Sequence, residues 1–262
     1  MSYPFHVDLR FALSGLLVGL LVGQTGVGGG SLMTPLLVLV FGIHPATAVG
    51  TDLLYAAATK SVGTVVHGLG NTVNWRIVRR LAAGSLPGTA LGLAILSWLD
   101  ASSSDQMRWV TAMLGVMLLV TALSLFFRAR LVAVLGPRLD RISPRRRLVM
   151  TVAAGFVLGL LVTMTSVGAG ALGVTALLLL YPRERLPVIV GTDIAHAVPL
   201  TLMAGIGHWW LGSVDAVLLV GLLCGSIPGI IVGSWLTSLM PETVLRPILA
   251  ATLVVVGAKI VF

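Results

Sequence analysis

The sequence predicts an all-α integral membrane protein made of two inverted repeats of five helical segments each. Hydrophobic residues make up 57% of the 262 residues and charged residues only 10%, whereas about a quarter of the residues in a soluble domain are charged. Apolar runs close to the length of a membrane span recur along the chain, as at Ala82–Leu99, Val110–Phe127 and Ala216–Leu239. An internal repeat is the second observation behind this prediction.

The two halves of the chain share several motifs in the same order. Val49-Gly50-Thr51-Asp52 returns as Val190-Gly191-Thr192-Asp193, and Ser85-Leu86-Pro87-Gly88 returns as Ser226-Ile227-Pro228-Gly229. A twofold repeat in a chain this apolar is typical of secondary transporters, whose halves surround a site near the bilayer midplane. The repeat therefore predicts both the architecture and the place of a binding site.

Each half divides into five segments. The first two segments of each half are short and are predicted to form a helical hairpin broken by glycines. Ser31–Phe41 would be about 17 Å long, too short to cross an apolar core of about 30 Å untilted. A re-entrant hairpin is therefore favoured, and full spanning is left open. The predicted segments are Leu9–Gln24, Ser31–Phe41, Ala46–His67, Arg76–Leu99, Gln106–Phe127, Arg147–Met164, Ala171–Tyr181, Leu186–Trp209, Val214–Leu239 and Glu242–Phe262.

The distribution of charge predicts the orientation. Arginines from Arg128 to Arg147 crowd a linker, 128–147, between a first membrane repeat at 1–127 and a second at 148–262. Cytoplasmic loops carry an excess of Lys and Arg, so the linker is predicted to be cytoplasmic rather than to bind nucleic acid. Both termini are predicted to be periplasmic. The loops expected on the cytoplasmic side with the linker are those near 72–80, 182–187 and 240–245.

Two glycine-rich tips are the strongest local feature. The first tip, Gly26–Ser31, and the second tip, Ser166–Ala171, each precede a short helix. Glycines let the backbone turn sharply, and a helix N-terminus adds unpaired N–H donors and partial positive charge, which together make an anion site. Close helix packing is the alternative. The residues predicted to bind the substrate here are Gly28, Gly29, Gly30, Ser31, Thr34, Gly168, Ala169 and Gly170.

Polar residues inside the segments are further candidates. Asp52 and Asp193 share one repeat position, and an intramembrane carboxylate is by default a functional candidate for coupling; the alternative is that they cap a helix N-terminus. Lys60 is predicted to attract an anionic substrate, with snorkelling towards the interface as the alternative. Tyr55 and His196 follow the aspartates by one helical turn and are candidates for coupling or for hydrogen-bonded packing.

The sequence lacks the motifs that ATP hydrolysis, metal binding or nucleophilic catalysis would need. Neither tip ends in the Gly-Lys-Ser/Thr of a nucleotide-binding loop, so ATP hydrolysis is not expected. The sequence shows no His, Cys and carboxylate set with metal-ligand spacing and no convincing nucleophile and base. Neither an enzyme nor a cofactor is predicted. The expected partners are a small anion, the lipid bilayer and a proton or sodium ion, and a homodimer is left open.

Taken together, these motifs resemble the sulfite exporter TauE/SafE family, also called the toluene-sulfonate uptake permease family. The resemblance is carried by Gly26–Pro35, Ala48–Asp52, the second tip and Gly191–Asp193, and it covers essentially the whole chain. It implies a bacterial inner-membrane transporter of sulfite, sulfonates or related organic anions. The second tip departs from the first at Ala169 and Ala171, which replace a glycine and a serine, so equal use of the two tips is not expected.

The predicted function is a secondary transporter that moves a small oxyanion by alternating access, coupled to a proton or cation. The first alternative is an uncoupled anion channel, which cannot accumulate its substrate against an electrochemical gradient. A membrane enzyme acting on lipid or on a thiol carrier would need a nucleophile and base pair. A subunit that only scaffolds a partner would have a sealed, apolar midplane.

Overall fold

The structure, a computed structural model, describes residues 9–25, 31–98 and 104–235, together with 250–251, 253–255 and 257–258. These residues form helices, turns and short connections, with no strand among them. The predicted all-α fold is therefore confirmed. Most of the first tip and most of the predicted segment Glu242–Phe262 lie outside the described residues.

The helices follow the predicted segments closely, with one exception. Helix α5 continues well past Phe127 to Asp140, so the first part of the basic linker is helical and only 141–143 separates α5 from α6. The described residues between 250 and 258 are also helical. The bounds are α1 Leu9–Thr25, α2 Met33–Leu39, α3 Pro45–Leu69, α4 Trp75–Trp98, α5 Ser104–Asp140, α6 Pro144–Thr165, α7 Ala171–Leu180, α8 Leu186–Trp210 and α9 Ala216–Trp235.

Five of these helices, α4, α5, α6, α8 and α9, are long and apolar enough to cross a membrane. The chain is therefore a multi-pass membrane protein. Helix α3 equals α8 in length, with 25 residues each, but it carries Asp52 and Lys60 in its interior. A charged residue in such a helix is expensive unless it faces the protein interior, and both side chains are buried.

Glycines allow two helix pairs to approach closely. Helix α1 packs along α9, and α4 packs along α6. A Cβ atom on Gly19 would lie 2.5 Å from the carbonyl oxygen of Ser226, and one on Gly229 would lie 2.5 Å from that of Leu16. Pro228, like Pro87, lies inside a continuous helix. The repeated Ser-x-Pro-Gly motifs thus serve this packing, which small residues make favourable between membrane helices.

Helices α3 and α8, which hold the repeated Gly-Thr-Asp motifs, run antiparallel. The hydroxyl of Thr51 accepts a 3.0 Å hydrogen bond from the backbone N–H of Asp215, just before α9. The hydroxyl of Thr192 accepts a 2.9 Å bond from the N–H of Asn74, just before α4. Each helix thus begins beside the loop that follows the other. The two hydrogen bonds are thus counterparts, each joining a repeated threonine of one half to the loop after the repeated helix of the other.

Each glycine tip joins two helices whose far ends meet. In the first hairpin the rings of Phe11 and Phe41 lie 4.9 Å apart, and in the second the hydroxyls of Thr151 and Tyr181 lie 2.9 Å apart. These residues occupy matching repeat positions. Helix α7, with 10 residues, is about 15 Å long, or about half of an apolar core of about 30 Å. The second tip therefore lies deep within the helical bundle.

The basic loops gather at one end of the molecule. Arg183 forms a 2.8 Å salt bridge with Asp140, and the side chain of Asn74 donates a 3.0 Å hydrogen bond to Glu184. The guanidinium of Arg80 donates a 3.3 Å bond to the Tyr181 hydroxyl. The loops predicted to be cytoplasmic near 72–80, 128–147 and 182–187 therefore contact one another, whereas 240–245 lies outside the described residues.

Candidate functional site at the second glycine tip

The second tip reverses the chain between α6 and α7. Ser166 has φ of 58° and Gly168 has φ of 107°, and this left-handed region is costly for a residue with a side chain. The Gly168 carbonyl accepts the N–H groups of Gly170 at 2.7 Å, Leu172 at 3.2 Å and Gly173 at 3.3 Å. Some of the N–H groups that the sequence predicted would bind an anion are therefore already hydrogen-bonded within the tip.

Other N–H donors of the tip lack a partner among the described residues. In the part of the chain that the structure describes, the backbone N–H groups of Gly168, Ala169 and Ala171 have no hydrogen-bond acceptor, although all three residues are buried. More than about 90% of buried backbone N–H groups are paired in proteins. These donors lie at the N-terminus of α7, where the helix dipole favours negative charge. These donors are thus open to an acceptor from outside the described residues.

Lys60 reaches this tip from α3. Its side chain is only 1% exposed, and its ammonium donates a hydrogen bond to the Ala169 carbonyl. It also interacts electrostatically with the carboxylates of Asp193 and Asp52. Lys60 therefore does not snorkel to an interface. Thr201, which takes its place in the second half, donates to the carbonyl oxygens of Ala197 and Val198 in its own helix.

Asp52 connects the first hairpin to the second tip. One carboxylate oxygen, Oδ2, accepts hydrogen bonds from the hydroxyls of Thr34 at 2.6 Å and Ser166 at 2.7 Å. The other oxygen, Oδ1, has no partner among the described residues. The N-cap of α3 is His44, so Asp52 does not cap that helix. It joins α2, α3 and the second tip in one buried polar centre.

Asp193 occupies the matching position in α8 but has different surroundings. A Cβ atom on Gly173 would overlap Oδ1 of Asp193, so only glycine fits there. Oδ2 has no partner among the described residues. The repeat places Val174 where the first half has Thr34, so the hydroxyl donor is missing. The two aspartates are therefore not equivalent.

Arg128 is a site residue that the sequence analysis missed. The sequence places it in the exposed basic linker, but its side chain is only 2% exposed and lies against α7. Its Nε donates to the Thr175 hydroxyl at 3.2 Å, and its Nη2 lies 3.5 Å from the Ala171 carbonyl oxygen. Its charge acts on Asp193. The signal was present, because Arg128 continues the buried stripe of α5 formed by Leu118, Thr121 and Leu125.

Other predicted residues lie away from this centre. His196 Nε2 bonds to the Ser85 hydroxyl at 2.9 Å, and Tyr55 lies beside the hydroxyls of Thr59 and Ser226. Both contacts join α3 or α8 to a neighbouring helix, which favours the packing alternative. Ser31 is buried and its hydroxyl has no partner among the described residues. The predicted binding residues Gly28, Gly29 and Gly30 lie outside the described residues.

A buried polar centre at a glycine tip, inside a bundle of membrane-length helices, is the arrangement of a membrane transporter. Comparison with protein-family models then identifies the group. Residues 11–260 match the family described as Sulfite exporter TauE/SafE, and the chain belongs to that family. The resemblance predicted from the motifs is confirmed. Membership places the chain among membrane transporters rather than enzymes.

Curated relatives agree with this assignment. The chain is 41% identical to "Probable membrane transporter protein YjnA" of Bacillus subtilis over 97% of this chain and 100% of the relative. It is 29% identical to "Probable membrane transporter protein YdhB" of the same species over 94% of this chain and 97% of the relative. No solved structure matches the chain.

Proposed function

We propose that this protein is a secondary transporter that binds a small oxyanion of the sulfite or sulfonate class at the second glycine tip. The observation that carries the proposal is the set of buried N–H groups at Gly168, Ala169 and Ala171, which have no acceptor among the described residues, beside the ammonium of Lys60. The family description supports a sulfur oxyanion. The names of the curated relatives specify no substrate.

A sulfite or sulfonate group suits this tip because its three oxygens project in different directions. One oxygen can accept the N–H groups of Ala169 and Ala171, while another faces Lys60. Charge-assisted hydrogen bonds of this kind are shorter and about twice as strong as neutral ones. A carboxylate has only two oxygens in one plane and can satisfy fewer of these donors.

The proposed mechanism is alternating access between two inverted repeats. The antiparallel α3 and α8 carry the central residues, and their paired hydrogen bonds at Thr51 and Thr192 support a twofold relation between the halves. The joined basic loops support a cytoplasmic position for that end of the protein in the bacterial inner membrane. Both termini are then periplasmic. The two hairpins are re-entrant in this proposal, which the contact between their far ends supports.

Coupling is assigned to the buried carboxylates of Asp52 and Asp193. Each has an oxygen without a partner in the described part of the chain, and a proton or sodium ion bound there offsets the negative charge brought by the substrate. This assignment distinguishes the transporter from an uncoupled anion channel, because only a coupled carrier accumulates substrate against its electrochemical gradient.

The purified protein in proteoliposomes tests the proposal. Sulfite, thiosulfate, sulfoacetate, taurine and an aryl sulfonate are compared with acetate and succinate, with and without an imposed proton or sodium gradient. We expect uptake of at least one sulfur oxyanion above its equilibrium level under one gradient. Uptake that only equilibrates contradicts the proposed coupling and favours the uncoupled alternative. Binding of carboxylates alone, or of no anion, contradicts the proposed substrate class.

A variant of the tip makes the test specific to the site. Gly168→Val places a branched side chain at a φ of 107° and at 3.1 Å from Leu172, so the tip cannot keep its conformation. Gly68→Ala is the matched control, because nothing lies within 4 Å of the added Cβ. We expect the first variant to lose anion binding and the second to keep it. Equal binding by both folded variants contradicts the site.

A further inference from the structure

We propose that a groove between α4 and α6 binds one anionic phospholipid, with an acyl chain in the groove and the phosphate held by Arg79 and Arg145. This inference goes beyond the proposed function, because it concerns the membrane face of the protein and not the buried centre. It does not depend on which anion the protein transports.

The groove has a volume of about 600 Å³, within the range of about 300–1,000 Å³ that is common for ligand sites. It is lined by Ala83 and Gly84 of α4 and by six apolar residues of α6 within 148–157. Gly84 allows the two helices to approach, since a Cβ there would overlap the Val152 carbonyl oxygen. Ala83 and Ala153 are small and exposed, so they leave space between the larger side chains.

The length of the groove matches one leaflet of the bilayer. Its lining on α6, residues 148–157, rises about 15 Å along the helix axis. This is half of an apolar core of about 30 Å. The lining begins one turn after Pro144, the first residue of α6, so the groove occupies the leaflet at that end. An acyl chain from this leaflet fits the length, whereas a helix of a second copy would cross both leaflets and need a longer groove.

Arginines lie at the mouth of the groove on both helices. Arg79 lies one turn before Ala83 in α4. Arg145 lies one turn before the lining residue Val149 in α6, so each arginine shares a face with the lining. Both are exposed, and neither forms a salt bridge in the described part of the chain. Trp75, one turn before Arg79, is 55% exposed, and tryptophan is enriched at the level of the lipid headgroups. A phosphate at this level therefore meets two guanidinium groups, whose geometry suits phosphate oxygens.

The matching helix pair, α1 and α9, has other residues at these positions. By the repeat, Arg79 corresponds to Val220, and Ala153 corresponds to Leu13. Val220 carries no charge, and Leu13 is bulkier than alanine and 50% exposed. The helices nevertheless pack alike, since Gly225 of α9 meets the backbone of α1 as its counterpart in α4 meets that of α6. The open groove and its arginines are therefore not required for packing, which favours a binding role.

An anionic phospholipid satisfies both parts of the site, because its chain is apolar and its headgroup is negative. A zwitterionic lipid carries the same phosphate but adds a cation, which the arginines disfavour. In the proposed orientation the groove lies in the cytoplasmic leaflet, and basic pockets between helices on that side bind anionic headgroups. The expected occupant is therefore a lipid such as phosphatidylglycerol.

Native mass spectrometry of the purified protein measures the affinity for the first lipid bound. The probes are phosphatidylglycerol and phosphatidylcholine with the same acyl chains, and we expect the intact protein to prefer phosphatidylglycerol. Arg79→Gln and Arg145→Gln should each lower the affinity for phosphatidylglycerol about fivefold and change that for phosphatidylcholine little. The matched control Arg130→Gln removes an exposed arginine of α5 and should leave both affinities unchanged.

A second pair of variants tests the groove without changing its charge. Ala153→Leu introduces the residue that α1 already has at the matching position, so the variant should fold while its side chain enters the groove. We expect the affinity for both lipids to fall. Ala90→Leu is the control, because Ala90 is exposed and lies two turns past Ala83 on α4, outside the groove. This variant should keep the affinity of the intact protein.

Three outcomes overturn the inference. The first is equal affinity of the intact protein for the two lipids. The second is an equal loss in Arg79→Gln and Arg130→Gln, which assigns the attraction to the basic surface as a whole. The third is a dimer that Ala153→Leu dissociates while lipid affinity is unchanged, because a second copy then covers the groove. None of these outcomes affects the proposed function, which depends on anion binding at the second tip.

Discussion

Lys60→Met is the perturbation that probes the site most sharply. Methionine fills nearly the same volume but removes both the charge and the hydrogen bond to the Ala169 carbonyl. In the proposed site the Lys60 ammonium donates a hydrogen bond to the anion. A hydrogen bond to a charged group contributes about 1.5–3 kcal/mol, and each 1.4 kcal/mol corresponds to about tenfold in affinity. Because Lys60 is 1% exposed, water cannot restore the interaction. We therefore expect anion affinity to fall by about 10- to 150-fold.

The assay is calorimetric titration of the detergent-solubilised protein with the anion that the uptake screen identifies. Lys60→Arg keeps the charge and is expected to retain more affinity than Lys60→Met. Circular dichroism confirms that each variant is helical. Affinity that is unchanged in a folded Lys60→Met protein refutes the reasoning, because the ammonium then contributes nothing to binding. If Lys60→Met and Lys60→Arg lose equal anion affinity, the effect is due to packing rather than to charge.

Three further predictions follow from particular contacts. Gly173→Ala forces a Cβ against the Asp193 carboxylate and should lower the free energy of unfolding by about 1–3 kcal/mol. The control Gly68→Ala has open space around its Cβ and should not lower it. Equal denaturation midpoints for the two variants contradict the close packing of Gly173 on Asp193. Thr34→Val removes the 2.6 Å hydrogen bond to Asp52 and should lower the free energy of unfolding by about 1.5–3 kcal/mol. Thr64→Val should change it little, because the Thr64 hydroxyl donates to the Lys60 carbonyl of its own helix. A denaturant titration that finds equal losses of stability argues against a special role for Asp52. In a Cys224→Ser background, Trp210→Cys should react with an impermeant thiol reagent added to intact cells, because its loop is on the periplasmic side in the proposed orientation. Arg141→Cys, in the cytoplasmic linker, should not react. The opposite pattern of labelling contradicts the proposed orientation.

The fold was largely predictable because it depends on patterns that are local in sequence. Apolar runs interrupted by glycine and proline gave the helices, since a membrane span requires about 20 consecutive apolar residues. The repeated Gly-Thr-Asp motifs indicated that α3 and α8 are equivalent. The predicted end of α5 at Phe127 is wrong, because the helix continues through the arginines that follow and ends at Asp140.

The site was predictable only in part because its contacts join residues that are distant in sequence. Asp52 and Lys60 were predicted because charged residues are rare in apolar segments. The second tip was predicted because a glycine-rich break precedes a short helix in both halves. Nothing in the sequence pairs Asp52 with Ser166, whose hydroxyl reaches it across the halves. Arg128 was hidden by the exposed arginines that follow it, although its phase on α5 places it on the buried face.

Direct localisation of a bound anion tests the central claim most directly. Crystals grown with selenate, a heavier analogue of sulfate, give an anomalous signal at the selenium position. We expect a peak at which the oxygens of the selenate lie within hydrogen-bond distance of the Ala169 and Ala171 N–H groups and of the Lys60 ammonium. A peak elsewhere in the bundle, with these N–H groups packed against protein atoms, contradicts it.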